Sequence, residues 1–416
     1  MKARNEAYKI LEQVIIDKGY ASLLLRSKLN GYSDVDKGFI TQLVYGTLQN
    51  YDNLCYQWNE FRQGKLSKKI EILINMSVYQ LLFLDKVPDY ACVNEAVDIS
   101  RTLYQGRYVK VVNAILRNCS RRGSIEVNGT HEEVLAITTS HPLWLVKMWS
   151  NHYGMEIAEK LCTQSLKIKA IVGRVNLMKT TRDSVLVNPL FQKGKLADSA
   201  VYYEGNLLQS DEYLNDLVTV QDEASQMVAY LVSPIKNEKI LDMCAAPGTK
   251  SIQIAQMVND EIDITCLDIH EHRVNLIRDS VERNELKSIK ALCMDSTKAS
   301  TEFETDSFDC VLLDVPCSGL GVLASKPDLK LRIKPEDIDS IVEVQKQLLE
   351  QASTLVKNGG RIIYSTCTLN KKENEKQIEQ FLAKHTEFKL QFERTYFPME
   401  YDTDGFYMAK LVKVKV

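Results

Sequence analysis

Two cysteines stand in loops just beyond predicted strands, where a thiol can act as a nucleophile. Cys317 follows the apolar run Phe308 to Leu313, and Cys367 follows the run Arg361 to Ser365. Loops at strand ends commonly face ligands and carry function. A thiolate that adds to C6 of a pyrimidine makes C5 nucleophilic enough to attack a sulfonium methyl group. The two cysteines therefore predict covalent catalysis on a pyrimidine ring.

Methylation at C5 also requires proton transfer, because the C5 proton must leave before elimination can expel the enzyme. Asp314 and Cys317 are placed for this task. A free thiol with a pKa of ~8.5 is mostly protonated at neutral pH, and Lys250 is a candidate for the positive charge that would lower this pKa. Enzymes that methylate an exocyclic nitrogen commonly carry Asn/Asp-Pro-Pro-Tyr after the fourth strand. Here Asp314-Val-Pro-Cys has a thiol in place of the aromatic residue, which favours carbon as the target.

A loop of small residues follows the predicted strand Lys239 to Met243 and leads into a helix expected from Ser251. Small residues in such a loop let the backbone approach a ligand closely. Asp268 ends the second strand, where a carboxylate commonly accepts hydrogen bonds from ribose hydroxyls. Asp295 ends the third strand and could receive the exocyclic amine of adenine. The loop matches neither GxGxxG nor a Walker A run, so a ribose without pyrophosphate, as in S-adenosylmethionine, fits best.

Plainer roles compete with these assignments. Asp268 and Asp295 are also typical helix N-caps. Cys266, Cys293 and Cys310 fall within predicted strands, where a buried thiol acts as a small hydrophobic residue. No metal site is expected, because too few histidine, cysteine and carboxylate ligands stand together.

The elements that position these residues follow from the apolar pattern. Residues 2–122 are predicted to form an all-α helical bundle, with apolar stripes from Ile40 to Tyr51 and from Tyr108 to Cys119 at i, i+3, i+4, i+7 spacing. Residues 124–140 are predicted to be a connector. It leads to an aromatic helix from Pro142 to Tyr153.

The second half of the chain changes from helical to α/β patterning. Between residues 168 and 219, short runs such as Ala170 to Leu177 and Ser184 to Val187 predict strands of a small α+β subdomain. Apolar strands then alternate with amphipathic helices, which is typical of an open, mostly parallel Rossmann-like sheet. The last long helix is expected to stop at Gly359-Gly360. The alternating run after Gly405 is suited to a sheet edge.

Composition limits the class of protein. Of 416 residues, 45% are hydrophobic and 26% are charged, which excludes disordered and fibrous chains and predicts several domains. Ten cysteines without a CxxC pair argue against a disulfide framework and favour the cytoplasm. No run of 18 apolar residues occurs, so we expect no membrane span. The first residues contain no apolar core segment and no cleavage-like site of small residues, so we do not expect secretion.

Charge is divided unevenly along the chain. The net charge of −3 gives no whole-molecule attraction to a polyanion. Residues 1–125 carry 18 basic and 12 acidic side chains. This local excess is either a nucleic-acid-binding surface or a solvated basic face, and it does not distinguish one RNA from another.

The motifs resemble those of the RNA cytosine-5 methyltransferases related to NOL/NOP/Sun proteins. The run Ala246-Pro-Gly-Thr-Lys resembles the family's Ala-Pro-Gly-Gly-Lys loop, with threonine in place of the second glycine. Asp314-Val-Pro-Cys-Ser and Tyr364-Ser-Thr-Cys-Thr resemble its two cysteine motifs, and Arg174-Val-Asn its upstream RNA-side motif. Residues 1–125 are similar to the antitermination factor NusB. This combination is typical of the family members that act on bacterial small-subunit ribosomal RNA.

The resemblance implies specific roles for the site residues. Cys367 would attack C6, Cys317 would assist release of the methylated RNA, and Asp314 would complete the catalytic set. The target would be cytosine 967 of 16S ribosomal RNA, naked or in an incomplete particle. S-adenosylmethionine would be the cofactor, and the residues implied to contact it are Cys244, Ala245, Ala246, Pro247, Gly248, Thr249, Lys250, Asp268, Asp295 and Asp314.

The resemblance also implies a domain plan and a setting. The plan is a NusB-like helical RNA-binding domain at 1–125, a linker and helical connector at 126–160, a small α+β subdomain at 161–219, and a class I methyltransferase with a mostly parallel seven-stranded sheet at 220–416. We expect a cytoplasmic monomer that does not bind membranes. Two alternatives remain, a tRNA cytosine-5 methyltransferase and a NusB-like RNA-binding assembly factor with an inactive methyltransferase domain.

Overall fold

The computed structural model describes residues 2–414 and divides into two compact units. The first contains the chain up to residue 168 together with residues 323–333. The second contains residues 169–322 and the chain from residue 334 onward. The chain therefore leaves the second unit for eleven residues and then returns to it.

The first unit is helical, as predicted. Its helices are α1 (Lys2–Ile15), α2 (Ala21–Lys28), α3 (Asp34–Gln49), α4 (Tyr51–Asn59), α5 (Lys68–Phe83), α6 (Asp89–Tyr104), α7 (Val109–Arg122), α8 (His131–Thr138), α9 (Leu143–Tyr153) and α10 (Met155–Gln164). The two predicted stripes lie in its core, where Leu43 and Leu116 are fully buried. The predicted connector instead contains α8, which begins at a capping box between Thr130 and Glu133.

The second unit begins with a small antiparallel sheet. Its elements are β1 (Ile171–Val175), α11 (Arg182–Val185), β2 (Phe191–Lys193), β3 (Ala200–Tyr203), α12 (Asp211–Leu214) and β4 (Val218–Val220). The strand order is β2-β3-β1-β4. The predicted α+β character is confirmed, but the predicted strand Ser184 to Val187 is wrong. Thr181 caps a short helix there, because its hydroxyl accepts a hydrogen bond from the Ser184 amide.

The rest of the second unit is a Rossmann-like domain. Its elements are α13 (Glu223–Val232), β5 (Lys239–Asp242), α14 (Thr249–Met257), β6 (Asp263–Asp268), α15 (Glu271–Arg283), β7 (Ile289–Cys293), β8 (Phe308–Asp314), α16 (Pro335–Leu355), β9 (Val356–Thr366), α17 (Glu375–Lys384), β10 (Phe388–Tyr396), α18 (Pro398–Tyr401) and β11 (Phe406–Lys413). The seven strands follow the order β10-β11-β9-β8-β5-β6-β7. The pairs among β9, β8, β5, β6 and β7 are parallel, and both pairs of β11 are antiparallel. The predicted mostly parallel seven-stranded sheet is confirmed.

Two expectations about this sheet are wrong. The last long helix stops at Leu355 and β9 begins at the next residue, so Gly359 and Gly360 lie within the strand. They occupy a register irregularity of the β8–β9 pair, where Gly359 adopts a φ of +83°. The final strand is not an edge, because β11 lies between β9 and β10. Its residues 406–409 are all buried, so both of its faces are covered.

In the part of the chain that the structure describes, no helix has the length and apolar character needed to cross a membrane.

Candidate active site

The small-residue loop between β5 and α14 is shaped by its own backbone. The Ala245 amide donates to the Leu267 carbonyl at 2.9 Å, and the Gly248 amide donates to the Ala245 carbonyl at 2.6 Å. Gly248 has a φ of +96°, a left-handed conformation that favours glycine. A Cβ added there would lie 3.3 Å from Cγ2 of Ile277. The loop therefore turns tightly from the strand into the helix.

Asp242 is a buried carboxylate at the end of β5 that the sequence analysis did not single out. Its oxygens accept hydrogen bonds from the Ser251 hydroxyl at 2.6 Å and the Cys244 amide at 3.4 Å. Burial raises the pKa of Asp242 to about 6, and the nearby Asp314 contributes in the same direction. The signal in the sequence was an acidic residue inside an apolar strand, where a carboxylate is rare without a role.

Asp268 ends β6 and is tied to the cofactor loop. Its carboxylate accepts a hydrogen bond from the His270 amide at 3.1 Å and pairs with Arg273 at 3.1 Å. Arg273 also donates to the Ala246 carbonyl at 3.3 Å. The arginine thus connects the second strand end to the loop that follows the first.

The pKa of Cys244 reflects the charges around the start of the cofactor loop. Burial raises the pKa of its thiol well above the ordinary value, and Asp242, Asp314 and Asp268 raise it further. Three carboxylates from three neighbouring strand ends therefore act on one point. Such a negative environment suits a ligand that carries positive charge.

Asp295 shows the capping role that we considered as an alternative. Its side chain accepts hydrogen bonds from the amide and the hydroxyl of Thr297, at 3.0 and 2.7 Å, at the start of the 3-10 turn Ser296–Thr301. The hydroxyl is the main cause that lowers the pKa of Asp295. A contact between Asp295 and adenine stays a prediction.

Asp314 is held between a cation and a hydroxyl at the end of β8. The Lys250 ammonium lies 2.5 Å from one carboxylate oxygen, and the Ser365 hydroxyl donates to the other at 2.8 Å. Burial lowers the pKa of Lys250, but Asp314 outweighs it, so that the pKa is raised overall. Cys367 also contributes to this rise.

The two predicted cysteines lie together. The Sγ atoms of Cys317 and Cys367 are 3.3 Å apart, and both side chains are half-buried. The hydrogen bond to Cys367 and then burial raise the pKa of Cys317 well above the ordinary value.

A close backbone approach fixes the two cysteine loops. The Gly321 amide donates to the Cys367 carbonyl at 3.0 Å, and the Gly405 amide donates to the Gly321 carbonyl at 2.8 Å. A Cβ on Gly321 would lie 1.9 Å from the Gly405 carbonyl oxygen. Only glycine fits at this crossing.

Other predictions changed in the structure. Cys266 and Cys310 are fully buried as expected, but Cys293 is exposed, because it ends the outermost strand of the sheet. Arg174, which the resemblance placed in an RNA-side motif, is buried. Its guanidinium donates a hydrogen bond to the Thr249 carbonyl at 2.7 Å, so the buried arginine holds the end of the cofactor loop in place.

Comparisons with known proteins agree with this architecture. A family model described as 16S rRNA methyltransferase RsmB/F matches residues 229–412. A model of the NusB family matches residues 1–121, and a model of the ferredoxin-like domain of RsmF/B-like methyltransferases matches residues 141–205. The probable ribosomal RNA small subunit methyltransferase B of Bacillus subtilis is 37% identical, over 99% of this chain and 98% of the relative. This chain belongs to the ribosomal RNA small subunit methyltransferase B family.

Further relatives and solved structures extend the comparison. The probable ribosomal RNA small subunit methyltransferase B of Synechocystis is 32% identical, over 99% of this chain and 100% of the relative. The crystal structure of PH0851 superposes with a TM-score of 0.85 at 24% identity and covers 98% of both chains. NSun6 from Pyrococcus horikoshii with SFG superposes with a TM-score of 0.61 at 20% identity, over 66% of this chain and 99% of that one. These structures share the fold.

As a family member, the chain is a methyltransferase with S-adenosylmethionine as its methyl donor. The site fits this donor in two respects. The left-handed turn at Gly248 presents loop backbone beyond the carboxyl end of β5, where ligands of open α/β sheets bind. The carboxylates of Asp242, Asp268 and Asp314 act together on the loop, which suits the positive sulfonium and amino groups. The individual cofactor contacts stay predictions.

Proposed function

We propose that this enzyme methylates C5 of a cytosine in small-subunit ribosomal RNA, through a covalent bond between Cys367 and C6. The observation that supports this proposal most strongly is the 3.3 Å separation of the Cys317 and Cys367 sulfurs. A methyltransferase that acts on an amino group needs no thiol, whereas C5 chemistry needs a nucleophile and a base at adjacent carbons.

Cys367 is the better candidate for the nucleophile. Cys317 has a strongly raised pKa, which favours its protonated form, whereas Cys367 interacts electrostatically with the Lys250 ammonium, a positive charge that would stabilise a thiolate. The Cys367 thiolate forms the bond to C6, and the electron pair of the C5–C6 double bond moves toward C5. S-adenosylmethionine, when bound, supplies the methyl group that C5 accepts.

Cys317 is the better candidate for product release. Once Cys367 is bonded to C6, it no longer offers Cys317 the charged sulfur that raises the pKa of Cys317. Cys317 then loses its proton to solvent more readily, at the step where a base is needed. Its thiolate removes the C5 proton, the bond from sulfur to C6 breaks, and Cys367 leaves as a thiolate.

The other site residues support these steps. Lys250 and Ser365 hold the two oxygens of Asp314, which orients this carboxylate beside the cysteine loops. We assign Asp314 to the cytosine edge and to the cofactor. The loop Cys244 to Lys250 with Asp268 and Asp295 forms the rest of the proposed cofactor contacts.

The proposed substrate follows from the family. Its members named here are ribosomal RNA small subunit methyltransferases B, and the first 121 residues match the NusB family. We propose cytosine 967 of 16S ribosomal RNA as the target, in naked RNA or an incomplete particle, because a paired base must be flipped out before catalysis. The cytoplasmic location and the monomeric state stay predictions.

Bisulfite sequencing of RNA from cells with and without the gene tests this proposal. We expect one protected cytosine in 16S ribosomal RNA that disappears with the gene and returns with the wild-type copy. Loss of a protected cytosine in tRNA instead would establish the tRNA alternative. No change in either RNA would support the inactive assembly factor.

A further inference from the structure

Two consecutive buried residues contact both cysteine loops, and neither belongs to the chemistry described so far. Glu373 and Asn374 lie in the turn between β9 and α17, and both are fully buried. A buried carboxylate is costly unless its oxygens are well supplied with hydrogen-bond donors. The hydrogen-bond partners of Glu373 therefore indicate its role.

Glu373 holds the loop that carries Cys317. One carboxylate oxygen accepts hydrogen bonds from the Ser318 hydroxyl and from Asn370, at 2.5 and 3.0 Å. The other accepts from the Ser318 amide at 2.8 Å and from Gln345 at 3.2 Å. Gln345 also donates to the Pro316 carbonyl at 2.9 Å, so that both neighbours of Cys317 are fixed.

Asn374 holds the loop that carries Cys367 in the same way. Its side-chain oxygen accepts from the Thr366 hydroxyl at 2.7 Å, and its amide donates to the Thr368 carbonyl at 2.9 Å. Both neighbours of Cys367 are thus fixed by one side chain. The two loops are also joined directly, because the hydroxyls of Ser318 and Thr368 are 2.7 Å apart.

We propose that Glu373 and Asn374 are positioning residues that set the two thiols in register, Glu373 for Cys317 and Asn374 for Cys367. This inference rests on the proposed function. Since each residue holds a different cysteine, their loss affects different steps. A displaced Cys317 slows release, whereas a displaced Cys367 slows formation of the adduct.

Conservative variants separate these two effects. In Glu373→Gln, one acceptor becomes an NH₂ group that faces an N–H donor, so the hold on Ser318 or its partners is lost. In Asn374→Asp, an oxygen replaces the donor to the Thr368 carbonyl. Lys372→Ala is the matched control, because Lys372 is an exposed neighbour in the same turn.

The readout is the covalent protein–RNA adduct on denaturing gels, with the full chain, S-adenosylmethionine and 16S ribosomal RNA. For Glu373→Gln we expect adduct to accumulate during turnover and release to slow by about 10-fold, the effect of one lost charged hydrogen bond. Asn374→Asp is combined with Cys317→Ala, where release is blocked. There we expect adduct to form about 10-fold more slowly than in Cys317→Ala alone.

A general loss of structure would not produce these opposite changes. Calorimetric binding of S-adenosylmethionine shows whether each variant keeps its fold. If Glu373→Gln does not bind it, Ser318→Ala, which removes only the hydroxyl, tests the same connection and should also accumulate adduct. The inference is overturned by two results together. In the first, Glu373→Gln, or Ser318→Ala in its place, releases product at the same rate as the Lys372→Ala control. In the second, Asn374→Asp forms adduct at the same rate as that control. If Cys317→Ala itself traps no adduct, the proposed function fails instead.

Discussion

At the scale of single residues, the site combines groups whose protonation depends on one another. The hydrogen bond between the two thiols and the burial of Cys317 raise the pKa of Cys317. Lys250 keeps its charge because Asp314 lies beside it. Because the two thiols have different neighbours, we propose different roles for them.

Asp242 provides a test of this electrostatic description. An ordinary aspartate has a pKa of ~3.9, whereas burial raises that of Asp242 to about 6. The folded state therefore prefers the protonated carboxyl. This preference contributes fully below the ordinary pKa and is lost as the pH rises through the folded value, a change of about 3 kcal/mol in the free energy of unfolding.

We predict that Asp242→Asn gains stability relative to the wild type as the pH rises. The asparagine carries no charge at any pH and can still accept the hydrogen bond from Ser251. Thermal unfolding at pH 5 and pH 7 checks this, and the difference in Tm between variant and wild type should increase in favour of the variant. An equal difference at both pH values would show that the carboxylate does not titrate between them.

The sequence predicted the site unevenly at this scale. Cys317, Cys367 and Asp314 could be named because their types and their places after strands point to chemistry. Glu373 and Ser365 could not, because their roles depend on partners that are distant in sequence, such as Ser318 and Asp314. The burial of Arg174 could not be predicted either, since burial is not visible in a motif.

At the scale of elements, the segment 323–333 is the least expected feature. It lies between the Cys317 loop and α16 in the sequence, yet it belongs to the helical unit. Leu331 packs against the core of that unit. Lys330 is almost completely buried and donates to the carbonyls of Gln49 and Thr139, at 2.9 and 3.3 Å.

These two carbonyls lie at the ends of α3 and α8, where helices leave acceptors without partners and carry partial negative charge. Burial lowers the pKa of Lys330 to about 8, so the ammonium stays mostly charged at neutral pH. One lysine therefore satisfies two helix ends. The periodicity of the sequence could not predict that Lys330 is buried, because lysine is ordinarily a surface residue.

We predict that Lys330→Met destabilises the helical unit by about 2 to 4 kcal/mol, because two buried acceptors lose a charged donor. Tryptophan fluorescence during urea unfolding measures this selectively, since Trp58, Trp144 and Trp149 all belong to the helical unit. Lys326→Met is the matched control, because Lys326 is an exposed residue of the same segment. Its free energy of unfolding should stay within about 0.5 kcal/mol of the wild type. Equal effects of the two variants would contradict the role of Lys330.

The boundaries of the helices and strands show where the apolar pattern of the sequence predicts an element correctly and where it does not. The long apolar stripes predicted the helices well, and the short apolar runs predicted the parallel strands well. Gly359-Gly360 was taken for a helix stop, but a strand bulge uses the same residues for the same conformational reason. The last strand was expected at an edge because apolar and polar residues alternate along it. It lies inside the sheet instead, because β9 and β10 pair with it on either side.

At the scale of the whole molecule, the uneven charge favours RNA binding through the helical region. The basic residues Arg117 and Arg121 are exposed on α7, near its C-terminal end. Their neighbours Asn113 and Asn118 are neutral, so these charges are not compensated by those hydrogen bonds. Exposed arginines in such positions are available to phosphates.

We predict that the double variant Arg117→Ala and Arg121→Ala binds 16S ribosomal RNA more weakly and with a salt dependence lower by about 2 in slope, because two phosphate contacts are lost. Filter binding over a range of salt concentrations measures both quantities. Lys37→Ala is the control, since Lys37 is already paired with Asp34 at 3.1 Å. Calorimetry should show unchanged affinity for S-adenosylmethionine. An unchanged salt slope would indicate that the basic face is merely solvated.

Trapping of the covalent intermediate tests the central mechanism most directly. Cys317→Ala, Cys367→Ala and the double variant are each incubated with 16S ribosomal RNA and S-adenosylmethionine and then separated on a denaturing gel. We predict a slowly migrating protein–RNA band for Cys317→Ala alone, because only that variant can attack C6 but not release the product. A band in the Cys367→Ala variant, or one that persists in the double variant, would contradict the assignment of the two thiols.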